Sequence, residues 1–214
     1  MRSAAKRKLG RPTDPGLRQR RQEEILDAAA GIFAQHGFPK TDLQLVADAL
    51  QLAKGTLYRY FPSKEALFLA VVDRGMRRLH AAVEADCAGV EDPLERIAQA
   101  IRTYLAFYKD HPEFAELLIQ ERAEFKNRKK PTYFVHRDAS LGPWRELFHR
   151  LIAEGRVRNL PVERILNVMS DLVYGTMFTN YFTGRDQDPE EQAREVLEVV
   201  FHGILSDRER SRRP

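Results

Sequence analysis

The sequence contains very little cysteine and tryptophan and has no long apolar run. Its 214 residues include one cysteine, Cys87, and one tryptophan. A single cysteine excludes an intrachain disulfide framework, so a reducing cytoplasm is the expected compartment. We interpret Cys87 as a small core residue rather than as a redox sensor. Hydrophobic residues at 43% and charged residues at 31% are typical of a globular chain with a buried core, which excludes a disordered class.

Segments suited to a membrane are missing as well. Gly10-Arg11-Pro12 follows the basic N-terminus where a secretion signal would need its apolar segment, so secretion is not expected. Residues 165–184 carry one charge, Asp171, but six Asn, Ser and Thr side chains, which are too many for a lipid span. We expect a buried helix in an interface or pocket there, and no membrane contact.

Catalytic and metal-binding patterns are absent from the sequence. The six histidines show no His-Glu-x-x-His or related spacing. His80 and Glu84 share a helix face, but such a pair is typical of a polar surface. No phosphate-binding glycine loop or nucleophile motif occurs, so we expect no catalytic residue, metal or cofactor. An enzyme is the alternative class, and it would show changed turnover when the pocket is mutated.

The N-terminal end is basic. Residues 1–68 carry 12 Lys and Arg against 7 Asp and Glu, whereas the whole chain has a net charge of only +4. This asymmetry indicates a contact with nucleic acid, although a solvated basic tail has the same composition. Residues 1–17 combine clustered basic residues with Gly and Pro and are predicted to form a flexible arm.

Apolar residues recur at helical spacing from residue 18 onward, with no internal repeat and no strand-turn-strand pattern. The first half is predicted to contain four helices, with Asp42 and Ser63 as N-caps of the second and fourth: 18–36, 43–50, 55–61 and 63–88. No flexible linker separates the third helix from the fourth. A shift of the fourth helix must therefore move the third.

The pattern remains helical in the second half, over 94–109, 112–126, a segment ending at Gly155, 161–182 and 189–205. Gly142-Pro143 predicts either a kink or a new helix. Asp188-Pro189-Glu190-Glu191 opens the last helix with Asp at the N-cap, Pro at N1 and Glu at N3. The expected domains are an arm (1–17), a helix-turn-helix domain (18–66), an effector-binding and dimerisation domain (67–206) and a disordered tail (207–214).

The most specific stretch is residues 37–67, GFPKTDLQLVADALQLAKGTLYRYFPSKEAL. It resembles the DNA-binding domain of TetR-family regulators (TetR/AcrR type), and the resemblance covers about residues 18–70. It implies an all-α fold, in which an N-terminal three-helix helix-turn-helix domain is joined by a long helix to a helical ligand-binding and dimerisation domain. A DNA-binding transcription regulator is therefore the expected function, and repression is the family's usual behaviour.

The third helix has residue types suited to the major groove. A helix that enters the groove needs short or polar side chains at its N-terminal end. Lys54 supplies charge, Gly55 permits close backbone approach, and Thr56 offers a hydroxyl to phosphate or base and a methyl to thymine. Leu57 and Phe61, four residues apart, are expected to face inward.

Further candidate contacts follow along the chain. Tyr58 and Tyr60 offer flat amphipathic surfaces, although aromatic residues at helical spacing are equally typical of a core. Arg59 suits a guanine or a phosphate. Lys64 resembles the family's phosphate-contacting lysine, beside the free N–H groups of the fourth helix.

Some positions depart from the family pattern. Gln51 and Ala53 stand where the turn usually has a glycine and a serine cap. Asp42 replaces a Ser or Thr that caps the second helix and touches phosphate, so aspartate is expected to cap but to repel the DNA backbone. Affinity then depends more on the arm, where Arg7 and Arg11 are the candidate contacts. Gly-Arg-Pro at 10–12 resembles a minor-groove hook, with a solvated tail as the open alternative.

The last two helices, 161–182 and 189–205, are the expected homodimer interface, because two such helices per chain make a four-helix bundle. The partner is then double-stranded DNA with a near-palindromic operator, whose half-sites lie roughly 34 Å apart. One dimer or two could bind it.

Aromatic side chains are dense in this second half, and most are ordinary core. The candidates for lining an effector pocket are Tyr104, Phe125, Trp144, Tyr174 and Phe178. A small apolar or aromatic effector would release the repressor by swinging the fourth helix. The alternative is a helix-turn-helix regulator with no small-molecule effector, controlled by a protein partner or constitutive.

Deleting residues 1–12 is expected to lower DNA affinity and to flatten its dependence on salt, because each lost phosphate contact lowers the slope of log affinity against log salt by about 0.9. Titration of labelled DNA at several salt concentrations measures both. An unchanged slope would mean that the arm is only a solvated tail.

Overall fold

A computed structural model describes residues 15–202, and within that range the chain is all-helical, as expected. Its helices are α1 (Pro15–His36), α2 (Leu43–Ala49), α3 (Lys54–Tyr60), α4 (Lys64–Cys87), α5 (Pro93–Asp110), α6 (Pro112–Glu124), α7 (Thr132–Ala153), α8 (Val162–Thr183) and α9 (Pro189–His202). Helix α1 begins three residues before the predicted start at Arg18. The rest of the predicted arm, the predicted end of the last helix at 205 and the tail at 207–214 lie outside the described residues. None of the described helices is long and apolar enough to cross a membrane.

The predicted N-caps are confirmed at both positions. Asp42 Oδ1 accepts a hydrogen bond from the Gln44 N–H at 2.8 Å, and Ser63 Oγ accepts one from the Ala66 N–H at 3.1 Å. The Asp42 carboxylate and the Ser63 hydroxyl each accept a hydrogen bond from a backbone N–H that has no partner within its own helix. These caps fix where α2 and α4 begin.

Helix α7 continues through Pro143, so the new helix considered at that position does not occur. Buried side chains lie on both sides of the proline, with Tyr133 before it and Leu147, Phe148 and Leu151 after it. Packing of both halves against neighbouring helices therefore outweighs the hydrogen bond that proline removes.

The core has two clusters of buried side chains. The first extends from α1–α4 into α5 and α6, and the second joins α5, α7, α8 and α9. Gly75 of α4 lies against the Phe114 ring of α6, where an added Cβ would come within 2.4 Å of a ring carbon. Because the first cluster crosses the predicted domain boundary, the N-terminal helices are packed directly against the second half.

Ion pairs also tie α1 to α4. The Arg74 guanidinium on α4 binds both carboxylate oxygens of Asp27 at 2.7 and 3.0 Å and also bonds Glu23. The Arg74 side chain is only 12% exposed, which favours a defined geometry over an exposed pair of long side chains. This contact fixes α4 along the N-terminal domain.

Lys64, the first residue of α4, anchors the α1–α2 turn. Its ammonium group donates to the carbonyl oxygens of Phe38 at 2.9 Å, Pro39 at 3.2 Å and Thr41 at 3.1 Å. The same nitrogen lies 4.6 Å from the centre of the Phe38 ring. Three donors meet three acceptors, so the ammonium group is fully used inside the fold.

Replacing Lys64 by alanine is expected to lower the free energy of unfolding by about 2–3 kcal/mol, because three charge-assisted bonds to turn carbonyls are lost. Urea unfolding followed by circular dichroism measures the change. Lys40, exposed on the same turn, is the matched control, and Lys40→Ala should change stability by less than about 0.5 kcal/mol. Equal effects of the two variants would contradict an anchoring role.

Candidate nucleic-acid interface and interior cavity

Helix α3 has an inner and an outer face. Leu57 is fully buried and Phe61, just after the helix, is 5% exposed, which confirms that both face inward. Gly55, Tyr58 and Arg59 are exposed, and a Cβ added at Gly55 would meet nothing within 4 Å. The outer face is therefore not used in packing the chain.

Tyr60 differs from Tyr58 in its surroundings. Tyr58 is 46% exposed, whereas Tyr60 is partly buried and packs against the first core cluster. The Arg18 guanidinium of α1 lies 5.9 Å from the centre of the Tyr60 ring. Of the two tyrosines predicted to contact DNA, Tyr58 has the more solvent-exposed ring.

Asp42 and Lys54 form an ion pair between the start of α2 and the start of α3. Lys54 Nζ lies 2.5 Å from Asp42 Oδ1. The hydrogen bond from Lys54 lowers the pKa of the Asp42 carboxyl, and the same bond raises the pKa of Lys54. The carboxylate thus caps α2 and holds α3, and its charge is neutralised on the outer surface.

The turn between α2 and α3 keeps a tight conformation without the usual glycine. Gln51 adopts φ +53°, a left-handed conformation that glycine accepts at no steric cost. The Leu52 N–H donates to the Ala47 carbonyl at 2.8 Å and closes the turn. Ala53 gives α3 no side-chain cap. Both departures expected from the sequence are therefore visible in the backbone.

The remaining predicted DNA contacts divide into three groups. Thr56 Oγ1 accepts a hydrogen bond from the exposed Arg59 guanidinium at 3.2 Å, so these two side chains meet on the outer face. Lys64 is turned toward the α1–α2 turn and has no free ammonium proton for a phosphate. Arg7 and Arg11 lie outside the described residues.

A cavity of about 780 Å³ lies between α4, α5, α7 and α8. Tyr104 and Trp144, two of the predicted pocket residues, line it. Most of the remaining lining is apolar, and it includes Met76, Leu79, Val83, Ile97, Ile101, Leu147, Phe148, Leu166, Met169 and Val173. A volume of this size is suited to a drug-sized ligand.

The other three predicted pocket residues pack against aromatic rings and do not line this cavity. The Phe125 ring centre lies 5.0 Å from Phe38 and 5.4 Å from Phe68. The Tyr174 ring lies 4.4 Å from Tyr133 and 4.8 Å from Phe178. Phe125 thus joins the N-terminal domain to the second half. Tyr174 contributes to the α7–α8 contact, and Phe178 packs against Tyr174 and Phe182 of its own helix.

Sequence reasoning missed several lining residues on α4 and α7. Met76 and Leu79 belong to an apolar stripe that the sequence assigns to ordinary core, and nothing in the pattern distinguishes core from cavity wall. Cys87, expected in the core, is partly exposed and lines the cavity, and burial raises the pKa of its thiol. Tyr133 has no local signal, because its position depends on how α7 meets α5.

A histidine that lines the cavity is paired with a second histidine behind it. His80, which lines it, lies 5.4 Å ring to ring from His136, and His136 Nε2 lies 2.7 Å from Asp73 Oδ1. Burial, followed by the neighbouring His136, lowers the pKa of His80. Across residues 15–202, no group of three or more His, Cys, Asp or Glu side chains is placed to hold a metal ion.

Residues 25–71 match the family model for bacterial regulatory proteins of the tetR family. The chain is 39% identical over 93 residues to the HTH-type transcriptional regulator Rv1255c of Mycobacterium tuberculosis, covering 44% of this chain and 46% of that protein. It is 27% identical over 193 residues to the HTH-type regulator YerO of Bacillus subtilis, covering 83% and 62%. The chain thus spans about half to three fifths of the length of these two curated relatives.

A solved structure extends the similarity beyond the N-terminal domain. The TetR family transcriptional regulator PfmR from Thermus thermophilus superposes with a TM-score of 0.69 at 25% identity, covering 85% of this chain and 99% of that one. The similarity therefore includes the cavity-bearing second half as well as the short helices α2 and α3. Residues 25–71 thus match the tetR family, and the fold of the described residues is similar to that of a TetR family regulator.

Proposed function

We propose that the chain is a DNA-binding transcription regulator that places α3 in the major groove. The observation that carries the proposal is the outer face of α3, where Gly55, Tyr58 and Arg59 are exposed and serve no packing role. A helix side with an exposed glycine, a flat ring and a guanidinium suits close approach to base edges and phosphates.

The ion pair of Asp42 and Lys54 determines what this face offers to DNA. Because Lys54 neutralises Asp42, the repulsion of phosphate expected from an aspartate at this position is reduced. Lys54 in turn has less charge to offer, so Arg59 is the main exposed cation of α3. Further phosphate contacts are assigned to the arm, through Arg7 and Arg11.

The regulator is proposed to act as a homodimer through α8 and α9. Helix α8 carries a solvent-facing stripe at helical spacing, with Val168 60% exposed, Leu172 38% exposed and Phe182 68% exposed. On α9, Val199 and Phe201 are also exposed. Large apolar side chains in such a row support a helix-to-helix interface, and two-fold symmetry suits a near-palindromic operator.

Release from DNA is proposed to follow occupation of the cavity by a small, mainly apolar effector. Helix α4 lines the cavity along its C-terminal half, and only three residues, 61–63, separate its start from the end of α3. A ligand that favours a shifted α4 would therefore change the spacing of the two recognition helices. Repression relieved by the ligand is the proposed outcome, and no separate observation favours control by a protein partner.

Selection from random double-stranded DNA, followed by anisotropy titration, tests the proposal. The expected product is an inverted repeat with half-site centres about 34 Å apart, one helical turn. Failure to enrich any sequence at low salt would overturn the proposed function.

Gly55→Ala is expected to weaken binding to the selected DNA about tenfold or more, because the new methyl group blocks close approach. Stability should rise by up to about 1 kcal/mol, since alanine favours helix. Gly31→Ala in α1 is the matched control, because Gly31 is also exposed with nothing within 4 Å. Equal DNA affinities of the two variants would place the interface elsewhere.

Val168→Glu is expected to shift the protein from dimer to monomer, because it buries a charge in the proposed interface. Analytical ultracentrifugation measures the shift. Val135→Glu is the matched control, since Val135 of α7 is 46% exposed and lies outside the α8 stripe. A monomeric parent protein, or equal behaviour of both variants, would contradict the dimer.

A further inference from the structure

Along its α4 wall the cavity has a closed end with buried lining and an open end with exposed lining. Met76, Leu79 and Tyr133 line the closed end and are each at most 5% exposed. Glu84 and Gly89 line the other end and are exposed. From Met76 to Cys87 the lining follows α4 for three turns, which is about 16 Å. An elongated ligand would therefore enter with one end leading.

Two phenol groups meet at the closed end. The Tyr104 hydroxyl donates to the Tyr133 hydroxyl over 3.3 Å, which is long for a bond between two hydroxyls. Among the hydrogen bonds of the described residues, none uses the Tyr133 hydroxyl as a donor. A buried phenol with an unused proton at the end of an apolar cavity is a site for an acceptor oxygen.

We propose that the cavity binds an elongated, mainly apolar ligand that carries one uncharged acceptor oxygen, such as a ketone carbonyl, at its leading end, where it accepts a hydrogen bond from Tyr133. This inference rests on the proposed ligand-responsive function and names the chemical class of the effector. The apolar remainder of the ligand lies along α4 and α5.

The charges around the closed end favour a neutral group over an ion. Burial raises the pKa of Tyr133 to about 12 and raises the pKa of Tyr104 well above its ordinary value, so both phenols stay protonated near neutral pH. Arg137 also lines the cavity, but its guanidinium bonds Asp138 at 2.9 Å and lies 3.9 Å from Asp171. An anion would have to compete with these carboxylates.

The open end carries charges of both signs. Arg96 donates to the Val90 carbonyl at 3.1 and 2.7 Å, and Glu84 lines the same cavity. Neither sign dominates there, so the open end offers no strong reason for a charged ligand. The hydrogen bond at Tyr133 is therefore the feature that selects the ligand.

Trp144 makes occupation of the cavity measurable without DNA. It is the one tryptophan of the sequence and it lines the cavity. The probes are 2-decanone, decanoate and decylammonium, which share a chain length and differ in the charge of the polar end. Titration at neutral pH is expected to give a saturable fluorescence change with 2-decanone and at least tenfold weaker binding of decylammonium.

Tyr133→Phe is expected to weaken 2-decanone binding about three- to tenfold, because one neutral hydrogen bond is lost while the ring remains. Tyr108→Phe is the matched control. The Tyr108 ring lies 5.1 Å from Tyr104, but its hydroxyl contacts Met76 Sδ and it does not line the cavity. The affinity of the Tyr108→Phe variant for 2-decanone should stay within twofold of that of the parent protein. Thermal unfolding checks that both variants fold.

Tighter binding of decanoate or decylammonium than of 2-decanone would overturn the proposal. So would equal losses in both variants, or no fluorescence change with any probe up to its solubility limit. A separate anisotropy titration of the ligand-free protein with DNA tests the regulator itself. Failure there, with intact ketone binding, would count against the regulator function and not against the ligand class.

Discussion

The side-chain amide of Gln120 holds the two halves of the protein together. Its oxygen accepts the Phe38 N–H at 2.9 Å and its nitrogen donates to the Phe33 carbonyl at 3.0 Å. Gln120 is 7% exposed, and unpaired polar groups at such depth are costly, so α6 stays in register with the end of α1. The rings of Phe38, Phe68 and Phe125 close over the same junction. The end of α1 and the turn after it are therefore held against α6.

The proposed coupling between the cavity and α3 depends on this arrangement. Helix α4 is held at its first residue by Lys64, in its middle by Arg74, and it forms a cavity wall from Met76 onward. A rigid helix that is fixed at one end transmits displacement at the other end as rotation. Because Gln120 restrains α1 independently through α6, a moving α4 strains the contacts between α1 and α4. The proposed ligand-driven switch requires such strain, because the arrangements with and without ligand must differ in free energy.

Local features could be predicted from the sequence, and contacts between distant segments could not. Asp42 and Ser63 cap helices because the acceptor and donor are two or three residues apart, and Leu57 and Phe61 face inward by spacing alone. The carbonyl partners of Lys64 lie more than twenty residues away, so nothing in the local sequence indicates its anchoring role, and its phosphate contact stays a prediction. Aromatic residues at helical spacing look the same whether they fill a core or line a cavity. The sequence pattern therefore could not separate Tyr104 and Trp144, which line the cavity, from the other three candidates. Those three, Phe125, Tyr174 and Phe178, pack against other rings.

The departures from the family pattern around α3 compensate one another. Ala53 leaves the start of α3 without a side-chain cap, and Gln51 holds a left-handed turn at some cost in free energy. The Asp42–Lys54 ion pair then joins the first residue of α3 to the cap of α2. The cation in this ion pair is Lys54, the first residue of α3. Lys54 therefore both positions the helix and supplies its N-terminal positive charge, and pairing with Asp42 leaves less of that charge for DNA. In the proposed function, discrimination between DNA sequences therefore depends on the shape of the Gly55–Arg59 surface, and long-range attraction to DNA depends on the basic N-terminal residues.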